Sequence, residues 1–217
     1  MRDLTALPKA HLHVHLESTI RPDTRRELAE VNGVRLPARQ PAFDGFRAFA
    51  EYNSATRACL RRPEDFVRIA REFCADEAAQ GTRYAEVTFT AAAHGERLGD
   101  LAMALESVLT GLREGGAEHG MEWRLLLDHS RRKPVERARR TVELAAAHPE
   151  VAGIGMAGEE RFRSRRSPKS LRRTGSSVCI WSTTPAKRKG RTVSARRSGR
   201  GGRSGSGTES ASWTIRN

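Results

Sequence analysis

The chain has 217 residues, of which 39 are Lys or Arg and 26 are Asp or Glu, a net charge of +13. The charge is segregated: residues 161–217 hold 16 of the basic residues against one acid, Glu209, a net of +15, while residues 1–160 come to −2. No apolar run is long enough for a bilayer, the N-terminus lacks the charged-then-apolar pattern of an export signal, and Cys59, Cys74 and Cys179 have no ligand-like spacing, so export is not indicated, the thiols read as buried or incidental and not as a disulfide framework, and a cytoplasmic, reducing compartment is expected.

The first element is the run Lys9-Ala10-His11-Leu12-His13-Val14-His15-Leu16-Glu17. It alternates polar and apolar, which predicts a strand over about 10–16 with one wet face. Residues i and i+2 of a strand point the same way, with Cα atoms roughly 6.6 Å apart, close enough for two imidazoles to grip one cation. His13 and His15 are therefore candidate metal ligands. His11 shares their face, but the span from His11 to His15, roughly 13 Å, is too long for one ion. A polar strand face carrying three solvated histidines would have the same pattern.

Pro22 opens a helix that ends before Gly33, with proline at the first helical position and glycine just past the end. A second helix covers 44–54, and Pro63 opens a third that stops before Gly81. A strand over 84–90, a helix over 100–114 and a strand over 122–128 follow, then a helix from Pro134 to His148 and a strand over 151–156. Strands alternating with helices argue for a parallel sheet with right-handed crossovers. His94 falls in a loop and is expected to be solvated. Asp128-His129-Ser130 is an improbable triad, because neighbours on a strand face opposite ways. His119 and His148 sit at helix ends, where a cation suits the dipole. Glu86 reads equally as a satisfied core acid or a group supporting a site. Arg131-Arg132-Lys133 is a solvated cluster or a grip on an anionic part of a substrate.

Three segments carry a family resemblance: 7–22 (Leu7-Pro8-Lys9-Ala10-His11-Leu12-His13-Val14-His15-Leu16-Glu17-Ser18-Thr19-Ile20-Arg21-Pro22), 81–87 (Gly81-Thr82-Arg83-Tyr84-Ala85-Glu86-Val87) and 153–160 (Gly153-Ile154-Gly155-Met156-Ala157-Gly158-Glu159-Glu160). In kind and order they resemble the adenosine deaminase family over residues 5–160, with Ser18 where a glycine is more usual. The resemblance implies a (β/α)8 barrel of the TIM type with its site at the C-terminal ends of the strands. The first four βα units of such a barrel are encoded here. It also implies zinc-dependent hydrolytic deamination of a purine nucleoside, adenosine to inosine, by a zinc-bound water and an acid/base carboxylate. His13 and His15 match the first two zinc ligands. His15, Glu17 and Gly158 match substrate-binding positions, Glu17 on the sugar side and Gly158 by backbone approach to the purine. The third ligand histidine, the acid/base glutamate and the later histidine and aspartate have no counterpart. No catalytic residue is present by this reading, the zinc site is incomplete, and the chain as written is expected to be inactive.

Residues 161–217, rich in Arg, Ser and Gly, cannot bury enough apolar surface to offset the entropy of ordering, so a disordered tail is expected after a domain over 1–160. The tail also reads as a coding region in a shifted frame. Moved back by one base, with wobble bases chosen to suit, 180–191 can read His-Leu-Val-His-His-Ala-Gly-Glu-Ala-Glu-Gly-Pro. The same shift of 206–216 yields Gly-His-Gly. Both are motifs of the resembled family, in its order. Within that family the substrate can instead be adenine or an aminodeoxyfutalosine-type nucleoside. From a different class, a non-enzymatic protein could bind nucleic acid non-specifically through the phosphates, using residues 161–217, with steep salt dependence.

Overall fold

The computed structural model describes residues 4, 6–38, 42–158 and 179–181. A parallel sheet runs in the order β1 (Lys9–His15), β2 (Thr82–Phe89), β3 (Glu122–Ser130), β4 (Val151–Ala157) and β5 (Cys179–Trp181). The helices are α1 (Pro22–Val31), α2 (Gly45–Ala58), α3 (Pro63–Ala79), α4 (Ala91–Leu98), α5 (Met103–His119) and α6 (Val135–Ala147). Strand order follows chain order, with helices between the successive strands β1 to β4, as in one half of a TIM-type barrel. Among the described residues no helix is long and apolar enough to cross a membrane.

Alternation within the strands divides the sheet into two faces. Ala85, Val87 and Phe89 of β2 and Leu125 and Leu127 of β3 are fully buried in one core with Phe66, Ile69 and Phe73 of α3 and Leu105, Leu109 and Leu112 of α5. The intervening Glu86, Thr88 and Asp128 lie on the opposite, lumenal face. Helix α5 lies so close to α3 that a Cβ on Gly111 would stand 2.4 Å from the Val67 carbonyl oxygen and one on Gly115 2.8 Å from Cys74 Cβ. Asp65 opens α3 by accepting from the backbone N–H groups of Arg61 and Arg62 at 2.9 and 3.0 Å.

Three expectations need correction. The stretch after β2 is the helix α4, not a loop, and it carries His94. Helix α5 starts at Met103, because Asp100 Oδ1 accepts the N–H groups of Ala102 and Met103, and it runs past Gly115 and Gly116 to His119. The sheet also does not stop at four strands: β5 pairs with β4 in the register Gly153↔Cys179, Ile154↔Ile180, Gly155↔Trp181. The rest of the basic segment, 161–178 and 182–217, lies outside the described residues.

Candidate metal and substrate site

The site forms at the C-terminal end of β1, where the strand is irregular. His13 has φ +132° and no partner in β2, and the pairing passes from Leu12↔Glu86 directly to Val14↔Val87. Positive φ is uncommon for a histidine. The unpaired residue is a bulge that re-aims its neighbours. His11, paired with Ala85, therefore turns toward the helices, where its Nδ1 meets Glu77 Oε1 of α3 at 2.9 Å. The expectation that His11 shares a face with His13 and His15 fails for this reason: one extra residue separates their alternations.

His13 and His15 do converge. Their Nε2 atoms are 3.3 Å apart, with ring centroids at 5.3 Å. Two nitrogens on one tetrahedral zinc, each bonded at about 2.0–2.1 Å, stand about 3.3–3.4 Å apart, so the pair fits two corners of a zinc site. Burial, then the neighbouring His15 and His11, lowers the pKa of His13, which favours the neutral imidazole a metal requires. The far nitrogen of His15, Nδ1, faces Asp128 Oδ2 at 3.9 Å. A carboxylate behind a metal-binding histidine is the usual orienting partner. Asp128 is 6% exposed and its Oδ1 has no hydrogen-bond partner. Burial, then the charge of Glu17, pushes the Asp128 pKa up, against the pull of His15 and the Thr90 hydroxyl.

Glu17 follows in the single 3-10 turn Leu16–Ser18 and is 5% exposed. Its Oε1 accepts from the Thr90 N–H at 3.1 Å and faces His94 Nε2 at 3.3 Å. Burial alone would raise the Glu17 pKa, but His94, the Glu17 N–H and Arg57 outweigh it and hold the group at about 2. His94 is 1% exposed, stacked on Phe89 and edge-on to Phe66, which corrects the expectation of a solvated side chain. Arg97 donates to its other nitrogen, Nδ1, at 3.1 Å.

Gly158, just past β4, has φ +107°, and a Cβ there would meet nothing closer than Ser130 Oγ at 3.6 Å. Backbone twist, not crowding, demands glycine at this position. Asp128 and His129 face opposite sides of β3, as expected: Asp128 looks toward His15, while burial and then Arg137 of α6 lower the pKa of His129 against the opposite pull of Glu96 of α4. Glu86 accepts from the Tyr84 hydroxyl at 3.3 Å. His148 Nδ1 bonds the Leu144 carbonyl oxygen at 2.8 Å, as suits a helix end. Among the described residues no group of three His, Cys, Asp or Glu side chains stands close enough to hold a metal; His13 and His15 are brought together as a pair.

The family model of adenosine deaminase matches residues 8–174. The chain belongs to the adenosine deaminase family. It is 35% identical over 172 residues to a putative adenosine/adenine deaminase of Streptomyces virginiae, a match covering 74% of this chain and 51% of that protein. The crystal structure of adenine deaminase from Arthrobacter aurescens superposes with a TM-score of 0.63 at 29% identity, covering 70% of this chain and 49% of that one. An amidohydrolase from Burkholderia ambifaria with bound zinc superposes with a TM-score of 0.62 at 28% identity, covering 77% and 48%. The chain thus spans about half the length of the relatives it matches. The family's members are purine deaminases, and its fold is a TIM-type barrel, of which β1 to β4 and their helices are the first half.

Proposed function

We propose that this chain is the β1–β4 half of a zinc-dependent deaminase that hydrolyses the amino group of adenosine to give inosine. The observation that carries this is the 3.3 Å separation of His13 Nε2 and His15 Nε2. His13 and His15 hold the metal, and Asp128 orients His15 from behind. The zinc, when bound, supplies a water acidified toward neutral pH. Glu17, fixed as a carboxylate, accepts hydrogen bonds from the hydroxyls of the sugar. Gly158 lets the backbone after β4 approach the purine ring. The alternative substrate is adenine, which the names of a Streptomyces coelicolor relative and of the Arthrobacter aurescens enzyme favour. The frame-restored protein acts in the cytoplasm on a small molecule, and any contact of residues 161–217 of this chain with nucleic acid is non-specific.

The third ligand and the acid/base carboxylate lie in the other reading frame, and residues 161–217 are its out-of-frame translation. The position of β5 supports this. Cys179–Trp181 pairs beside β4, and the shifted reading His-Leu-Val-His-His-Ala-Gly-Glu begins at Ile180. The Ala-Gly-Glu motif and its histidine would then follow β5 as Glu17 follows β1. Resequencing around codons 159–162, then assaying the frame-restored protein and this chain with zinc on adenosine and adenine, tests the proposal. Turnover by the restored protein alone is expected. Stop codons throughout the adjacent frame, or zinc-dependent turnover by this chain that His13→Ala abolishes, would overturn it.

A further inference from the structure

We infer that Arg97 and His94 are positioning residues for this site, holding Glu17 and the turn it sits in from behind the histidine pair. A guanidinium has donors and no acceptor. The 3.1 Å contact from Arg97 Nη2 therefore leaves His94 Nδ1 without a proton. The ring proton of neutral His94 then sits on Nε2, aimed at Glu17 Oε1 3.3 Å away. Phe89 stacks on the ring at 5.2 Å and 14°, and Phe66 abuts it edge-on at 5.0 Å, so the imidazole cannot swing aside. Arg97 is itself tied to the end of α2, donating to the carbonyl oxygens of Arg57 at 3.2 Å and of Leu60. A continuous chain of donors and acceptors thus runs from the end of α2, through Arg97 and His94, to Glu17.

The chain ends where it matters for metal binding. Glu17 lies in the turn Leu16–Ser18, which directly continues the bulged end of β1, and the Thr90 N–H pins the same carboxylate oxygen to the end of β2. Release of Glu17 frees that turn and lets the backbone of His15 relax from the placement that sets two Nε2 atoms 3.3 Å apart. Purely structural cross-bracing would not need these groups: apolar residues of similar volume fill such a place at no desolvation cost.

The inference rests on the metal reading above, and the test separates the two. Zinc affinity is measured for the full chain by competition with a chromophoric chelator, in the wild type, Arg97→Met, His94→Leu and His94→Gln. Loss of an orienting partner weakens metal affinity about 10-fold or more, which is the loss expected for Arg97→Met and His94→Leu. His94→Gln, whose amide N–H replaces Nε2–H, should stay near wild type. In parallel, the ¹⁵N spectrum of the wild-type imidazoles should show His94 as the neutral Nε2–H tautomer, a readout that needs no variant to fold. Zinc uptake equal in all four proteins, or an Nδ1–H tautomer at His94, overturns this inference alone. With only two ligands the wild-type chain is expected to hold zinc weakly; uptake that His13→Ala leaves unchanged overturns the metal reading and this one with it.

Discussion

Replacing Asp128 by asparagine should make the protein more stable and a poorer metal binder. Asp128 is 6% exposed, its Oδ1 accepts no hydrogen bond, and His15 Nδ1 is 3.9 Å from Oδ2, beyond hydrogen-bond reach. Glu17 adds like-charge repulsion to the burial that raises its pKa. An unsatisfied buried polar group costs about 1–3 kcal/mol, and more when charged, so the neutral isostere should gain about 1–2 kcal/mol. With a urea slope of about 1–3 kcal/mol/M, the midpoint should rise by about 0.5–1 M. The pH dependence identifies the cause. A carboxyl whose folded pKa is raised destabilises only where it is ionised, so the advantage of asparagine holds at neutral pH and vanishes below the unfolded aspartate value of about 3.9. Zinc affinity should fall by less than the about 10-fold of a hydrogen-bonded partner, through loss of the negative charge that faces His15. A midpoint that drops at neutral pH, or a gain that persists unchanged at low pH, refutes the reasoning.

Glu17→Gln should do the opposite: the ionised Glu17 is well partnered, and loss of charge-assisted bonds costs about 1.5–3 kcal/mol, read as a lower urea midpoint at neutral pH. Its folded pKa of about 2 is below the unfolded value, so that stability is present above about pH 4.5 and is lost as the pH falls toward 2; a difference between wild type and Glu17→Gln that grows with acid would contradict this. Gly111→Ala should destabilise by about 1–3 kcal/mol despite its better helix propensity, because the new Cβ would stand 2.4 Å from the Val67 carbonyl oxygen and force α5 off α3; thermal unfolding with an unchanged or higher midpoint would show that the helices part without cost.

The alternation of β1, the prolines that open α1 and α3, and the glycines after helices were legible in the sequence because each is a local rule. The bulge at His13 was not: nothing in Leu12-His13-Val14 marks the residue that leaves the ladder, and the consequence, His11 bonded to Glu77 of α3, depends on a helix 66 residues away. His94 was misplaced because Gly95 weakens the helical signal of 91–98. The glycine serves packing there, since a Cβ would come within 2.7 Å of Leu101 Cα. Gly99, with φ +81°, was the available sign that a helix ends at Leu98. The same error hid the end of α5, where Gly115 and Gly116 permit close packing rather than ending the helix. Asp128 was visible as a residue but not as a partner of His15, because the pairing of β2 between their strands brings them together.

The irregular backbone at His13 also bears on transplantation. A regular strand spaces alternate side chains evenly and would carry all three imidazoles of this segment on one side, none of them at the separation found here. What another scaffold would have to borrow is the whole kinked stretch from Leu12 to Glu17, with the neighbouring strand and the helix that receives His11, because the two histidines grafted alone onto a straight ribbon would lose the convergence that makes them a pair.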